Sequence, residues 1–235
     1  MNMIEHIVSP QRLLLVWRTD RPGASRTRRV VAEVVRPSLE DPAVLRYLHG
    51  SEDFESAKSE GFHGYPSFDM KQNEHSSNVL DSFIRRLPPR KRDDFDAYLE
   101  QHRLLSHSEI SDMALLAYTN AKLPGDGFEL YPDLSDARPP FEIIIEVAGF
   151  RHQYGVVIED IYNGDPVTLK AEPDNLYDPN AIAVHHNGKN IGYIARAQAA
   201  SFHSWFKKGY KVNAVVERIN GKVDRPLVYL FITVR

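Results

Sequence analysis

The dipeptide Asn187-Gly188 sits between two apolar runs, AIAVHH and NIGYIA. Asn-Gly flanked by strand-like segments is the strongest short-range signal for a tight β-hairpin, because both central residues must take positive φ. A hairpin fixed at this point sets the register of everything around it. The neighbouring stretches FEIIIEVAG, PVTLKAE, YKVNAVVERI and PLVYLFITV also read as strands, and RAQAASFHSWFKKG reads as one helix. Phe202, Trp205 and Phe206 are spaced i, i+3, i+4 on it, a core stripe, and Gly209 suits a left-handed stop. Many short strands with a single helix in about 95 residues predict a small barrel or sandwich.

The stretch PDLSDARPP, from Pro132 to Pro140, is rich in Pro, Asp and Ser and offers little to bury, so it reads as a linker. It divides the chain into an expected module over residues 1–135 and a β-barrel over residues 141–235. The opening runs RLLLVWR and RRVVAEVVR suggest two strands joined by the loop TDRPGASRT. Residues 37 to 75 show no clear period and are expected to be irregular. Three helices should follow. The first carries Val79, Leu80, Phe83, Ile84 and Leu87; Pro88 and Pro89 end it. The second carries Phe95, Tyr98 and Leu99. The third is expected to start at Ser106, with Glu109 completing a capping box. LPGDGFELY reads as a turn into a strand. The fold class is therefore α+β: a mixed N-terminal module, then a C-terminal OB-like β-barrel with one main helix.

Composition narrows function mainly by exclusion. The formal net charge is −3, so the chain has no overall basic excess of the kind a general nucleic-acid binder carries. Residues 1–140 hold 18 basic and 22 acidic side chains, and the remainder hold 11 and 10, so any anion site must be a local patch. The absence of cysteine rules out disulfides, thiolate zinc sites and a thiol nucleophile. No apolar run reaches membrane-spanning length, and MNMIEHIVSP lacks the order of a signal peptide. The expected setting is the cytoplasm, with no membrane partner. No phosphate loop, zinc-protease motif, nucleophile elbow or motor motif is present, so a non-enzyme is expected. No cofactor is implied. His185 and His186 are adjacent in a strand and point to opposite faces, so they do not form a chelating pair.

Residues Glu172 to Val184, EPDNLYDPNAIAV, place Tyr177 and Asp178 at the mouth of a strand. Asp178-Pro179-Asn180 suits a type I turn. Asp178 can serve that turn or accept a hydroxyl from a ligand, whereas a carboxylate repels phosphate. Asn175 can serve the turn or bond a base or sugar. Tyr177 can close the barrel end or offer a ring on which a base stacks, and the stacking role is the leading one. RRLPPRKR carries five basic residues in eight, followed at once by Asp93, Asp94 and Asp96, and reads first as a solvated helix junction, with phosphate contact as the alternative. Lys207, Lys208 and Lys211 suit the end of the C-terminal helix, with phosphate contact as a secondary role.

AGFRHQYG followed by VTLKAEPDNLYDPNAIAVHHNGKNIGYIARAQAASF resembles the HIRAN domain family over residues 141 to 235. The resemblance rests on several spacings kept in order. It implies an OB-like barrel that binds single-stranded DNA and grips a free 3′ end. By that resemblance Arg151, His152, Asn175, Tyr177, Asp178 and Tyr193 are the candidate nucleic-acid contacts, with Lys207 and Lys208 added. His152 stands where the DNA-binding members carry a tyrosine, and the late loop Asn220 to Pro226 offers Lys222 and Arg225 without an aromatic. Residues VLDSFIRRLPPRKRDDFDAYLEQHRL and MALLAYTNAKLPGDGFEL are similar to the small N-terminal region of HipA-family toxin kinases, without the kinase body. That likeness implies a possible protein partner, as in a toxin–antitoxin or phage–host system, as the alternative to DNA binding.

Overall fold

The structure is a computed structural model and describes residues 2–21, 27–106, 109–153, 156–222 and 225–235. It divides into two compact units. One holds residues 9–98 and 107–133; the other holds residues 1–8, 99–106 and 134–235.

The first unit is built on a five-stranded antiparallel sheet of order β4-β3-β2-β1-β5. The strands are β1 (Arg12–Trp17), β2 (Arg29–Val35), β3 (Val44–Tyr47), β4 (Glu74–His75) and β5 (Phe128–Pro132). β1 and β2 pair as their apolar character predicts; residues 22–26 of the loop between them lie outside the described residues. The stretch from 37 to 75 is not irregular. It contains β3, the helix α1 (Glu52–Ser59) and β4. β3 is only four residues long, so too few alternations existed to show a period; pairing with β2 from Ala32–Tyr47 to Val35–Val44 holds it. α1 is capped by Ser51, whose Oγ accepts the Phe54 N–H at 3.2 Å. The expected helices appear as α2 (Val79–Ile84), α3 (Phe95–Gln101) and α4 (Asp112–Thr119). The cap of α4 is Ser111, not Ser106: its Oγ accepts the Ala114 N–H at 3.2 Å. The helix starts later because the buried run from Met113 to Thr119 is what packs. His107 and Ser108, inside the expected capping box, lie outside the described residues.

The second unit is a curled six-stranded antiparallel half-barrel, consistent with an OB-like fold. Its strands are β6 (Phe141–Glu146), β7 (Pro166–Ala171), β8 (Ile182–His186), β9 (Lys189–Tyr193), β10 (Val212–Lys222) and β11 (Arg225–Val234), in the order β6-β11-β10-β7-β8-β9. All six strand readings are realised. Asn187 at φ 47° and Gly188 at φ 78° make the β8–β9 turn. β7 is shared: Pro166 and Val167 pair with β10, whereas Thr168 to Ala171 pair with β8. The two outermost strands meet at one point, where Ala148 and Tyr193 exchange N–H···O bonds of 2.8 and 2.9 Å. Gly192 permits that approach. It sits at φ +136°, and a Cβ there would lie 2.5 Å from the Ala148 carbonyl oxygen and 2.6 Å from Val147 Cγ1.

Helix α5 (Arg196–Lys207) buries Phe202 and Trp205 and leaves Phe206 half-exposed. Gly209, at φ 73°, ends it as expected. The supposed linker is packed rather than free. Leu134 is buried, its N–H donates to Ser201 Oγ at 2.9 Å, and its carbonyl accepts the Trp205 indole N–H at 2.8 Å. A single leucine between polar neighbours gave no periodic signal, and the partners are supplied by a helix some seventy residues away. The unit also takes in the chain's start. Ile4 bridges to Leu104, and the buried Glu142 carboxylate accepts the backbone N–H groups of Glu5 and His6 at 3.1 and 2.9 Å. Among the described residues no helix is long and apolar enough to cross a membrane, and no His, Asp and Glu cluster suits a metal ion.

Candidate nucleic-acid interface

The loop from Glu172 to Ala181 leaves the end of β7 and enters β8, and its shape is set by its own polar side chains. The Glu172 N–H donates to the Ala181 carbonyl at 2.9 Å and closes the base of the loop. Asn175 Oδ1 accepts the N–H groups of Tyr177 and Asp178 at 3.0 and 3.2 Å, and its Nδ2 donates to Glu172 Oε2 at 2.9 Å. Asp178 Oδ1 accepts the Asn180 N–H at 2.9 Å, and the Asp178 carbonyl accepts the Ala181 N–H at 2.9 Å. The Asp-Pro-Asn turn is therefore present, and these bonds give Asn175 and Asp178 their turn roles. Each carboxylate oxygen of Asp178 has a further lone pair beyond the bond it makes.

This pinned loop holds its apolar side chains in solvent. Tyr177 is 92% exposed and Leu176 is 95% exposed. A ring presented on an ordered loop needs no folding contribution from its own packing, and it is available to a base or to an apolar partner group.

Three further elements converge on the same end of the half-barrel. The end of β9 lies beside the loop, since Ile194 donates to the Ile182 carbonyl at 2.9 Å where β8 begins. Across Tyr193, Ala148 leads into a short 3₁₀ turn, Phe150–His152, entered through Gly149 at φ 75°. Arg151 and His152 are exposed on it, with Arg151 Nε donating to His152 Nε2 at 3.1 Å. The first residue of α5, Arg196, donates from Nε to Asp178 Oδ2 at 3.1 Å. His203 on the same helix lies 3.0 Å from the Asn180 carbonyl through Nε2. The elements that bear Arg151, His152, Asn175, Tyr177, Asp178 and Tyr193 thus adjoin one another at one end of the half-barrel. Arg196 belongs with them and was not among the sequence candidates; its signal was a cation opening a helix directly after the β9 strand.

Lys207 and Lys208 are not part of this cluster. They lie at the other end of α5, about 16 Å from Arg196 at 1.5 Å per residue. Lys208 Nζ donates to the Ser135 carbonyl at 2.5 Å and lies 3.5 Å from Asp136 Oδ1. The cations of RRLPPRKR are largely engaged within the first unit: Arg86 with Asp126, Arg90 with Asp112 and Arg92 with Asp94. His186 is buried with Nε2 2.9 Å from Asp165 Oδ2, while His185 faces the other way and is half-exposed. Val223 and Asp224 of the late loop lie outside the described residues, as do Tyr154 and Gly155 after the first turn.

A curled antiparallel half-barrel with one main helix defines a class by its architecture, that of small OB-like folds. The particular family comes from comparison: residues 140–234 match the family model described as the HIRAN domain, so this segment is a HIRAN domain. A stretch of 57 residues, 24% of the chain, is 44% identical to the helicase-like transcription factor of Mus musculus. Over 56 residues the identity to the Oryctolagus cuniculus protein of the same name is 43%. The chain spans about 5% of the length of these curated relatives. Among solved structures, the HIRAN domain of human HLTF is 29% identical and matches 40% of this chain and 74% of its own, with a TM-score of 0.32. A Lactobacillus plantarum protein is 25% identical, matches 39% and 92%, and gives 0.33. The family match lies outside residues 79–130, so it lends the HipA likeness no support.

Proposed function

We propose that the half-barrel binds nucleic acid without transforming it, and that it takes the 3′ end of single-stranded DNA at the end formed by Tyr177, Asp178, Arg196, Tyr193 and the 149–152 turn. The observation that carries this reading is the solvent-held ring of Tyr177 on a loop fixed by Asn175 and Asp178. A terminal base stacks on that ring. Arg196 and Arg151 supply positive charge for the adjoining phosphates. Asp178 accepts the terminal hydroxyl and disfavours a terminal phosphate. The HIRAN assignment of residues 140–234 supports a nucleic-acid role.

The test is a titration of fluorescent oligonucleotides that differ only at the 3′ end. The expected result is salt-dependent binding of the 3′-hydroxyl form and weaker binding of the 3′-phosphate form. Equal affinity for both ends removes the end-reading part of the proposal. A second reading is a protein-recognition module, favoured by the 95% exposure of Leu176 beside Tyr177. A chain that binds no oligonucleotide at low salt, yet loses a defined protein partner on Leu176→Ser, would serve that role instead.

A further inference from the structure

β7 changes partner halfway along, and beyond Val167 it parts from β10. Its pairing with β10 is limited to Val167 with Ala214 and Pro166 with Val215. From Thr168 to Ala171 it pairs with β8, and no β10 residue opposes it. Carried three residues further, the β7–β10 register would set Lys211 opposite Lys170, so these residues flank the opening where the strands diverge. Exposure alternates on both sides. Val167, Leu169 and Val212 are half-buried, whereas Thr168, Lys170, Lys211 and Asn213 are exposed. Where the two segments part, the half-buried side chains are therefore apolar, and an exposed lysine stands on each side. Among the described residues neither lysine side chain forms an ion pair.

We infer that the face where β7 and β10 part carries the backbone of the strand whose last nucleotide sits at Tyr177, with Lys170 and Lys211 each contacting a phosphate. The inference rests on the nucleic-acid reading above and deepens it by giving the bound strand a direction. Lys170 stands two residues before Glu172, and Glu172 is hydrogen-bonded to Asn175 at the root of the Tyr177 loop. Chain geometry keeps Lys170 within about 15 Å of that loop. A strand running from the loop along β7 passes between Lys170 and Lys211, which stand opposite each other. Charge also favours this route. Glu172, Asp174 and Asp178 surround the loop itself, so the phosphates upstream of the terminal nucleotide gain most where lysines take over from carboxylates. A lysine on an exposed strand edge also discourages unwanted strand pairing. That role predicts no dependence on ligand length, which separates the two.

The experiment compares a dinucleotide and an octanucleotide with the same 3′-hydroxyl end, using the full chain. The proteins are the wild type, Lys170→Gln/Lys211→Gln, and Lys71→Gln as a charge control on the other unit. The double variant should bind the octanucleotide roughly tenfold more weakly at low salt, and the slope of log Kd against log salt should fall by about 1.4, near 0.7 per lost phosphate contact. Its dinucleotide affinity should stay within about twofold of wild type, and Lys71→Gln should change neither. An unchanged slope with the octanucleotide overturns the inference while leaving end binding in place. Equal weakening of both ligands overturns it too, by moving the lysines into the terminal site. A wild type that binds neither ligand removes the nucleic-acid reading itself.

Discussion

Arg196 donates from Nε to Oδ2 of Asp178 at 3.1 Å and so ties the first turn of α5 to the Tyr177 loop. The other oxygen of Asp178 holds the Asn180 N–H. One carboxylate thus orders its own turn and sets a guanidinium beside the proposed sugar position. Asp178→Asn keeps an oxygen for the turn and removes the negative charge. The expected outcome is a smaller preference for a 3′-hydroxyl over a 3′-phosphate end, read as the ratio of the two dissociation constants. A ratio unchanged from wild type would exclude Asp178 from end selection.

Tyr177→Ala should separate binding from stability. The ring is 92% exposed, so its removal opens no cavity, and thermal unfolding should shift little. Loss of a stacking surface should cost oligonucleotide binding about 1–3 kcal/mol. Fluorescence titration and a melting curve on one sample decide the matter. A large fall in melting temperature would mean the side chain packs.

Gly192→Ala tests the closure of the half-barrel. The backbone is at φ +136°, and the new methyl would press on the Ala148 carbonyl and Val147. Destabilisation by roughly 2–5 kcal/mol is expected from the backbone strain and the overpacking together. Chemical denaturation measures it. Because Ala148 leads to the turn that bears Arg151, oligonucleotide affinity should fall as well.

Glu142 should give the barrel unit an acid-sensitive component. Burial opposes ionisation of its carboxyl, but bonds from Arg235, His6 and Glu5 overcome that cost and hold it below its ordinary value of 4.5. A carboxyl that is more acidic in the folded state contributes fully above its unfolded value. The contribution is lost as pH falls through the lowered native value. Arg235→Ala removes a 2.6 Å charged hydrogen bond and should destabilise by about 1–3 kcal/mol at neutral pH. The gap between variant and wild type should narrow below pH 4.5, as followed by denaturation across an acid series.

Legibility followed the range of the interactions. The six barrel strands could be read because each carries its own alternation or apolar run, and the β8–β9 turn because Asn187 and Gly188 answer a local backbone demand. The Tyr177 loop was readable for the same reason, since Asn175 and Asp178 bond to backbone within three residues. β3 and α1 were missed because four and eight residues hold too little pattern, and the Ser111 cap because serines at 106 and 111 look equally suitable without the buried face of α4.

The sequence by itself determined the local pieces: strands, helices, the tight hairpin and the polar residues that shape one loop. The tertiary structure decided how those pieces meet. It paired Ala148 with Tyr193, set Arg196 against Asp178, buried Leu134 under α5, and drew residues 1–8 and 99–106 into the barrel unit. The physical reason is distance along the chain. A hydrogen bond within a turn depends on its own few residues, whereas a contact between residues tens of positions apart depends on the path of everything between them.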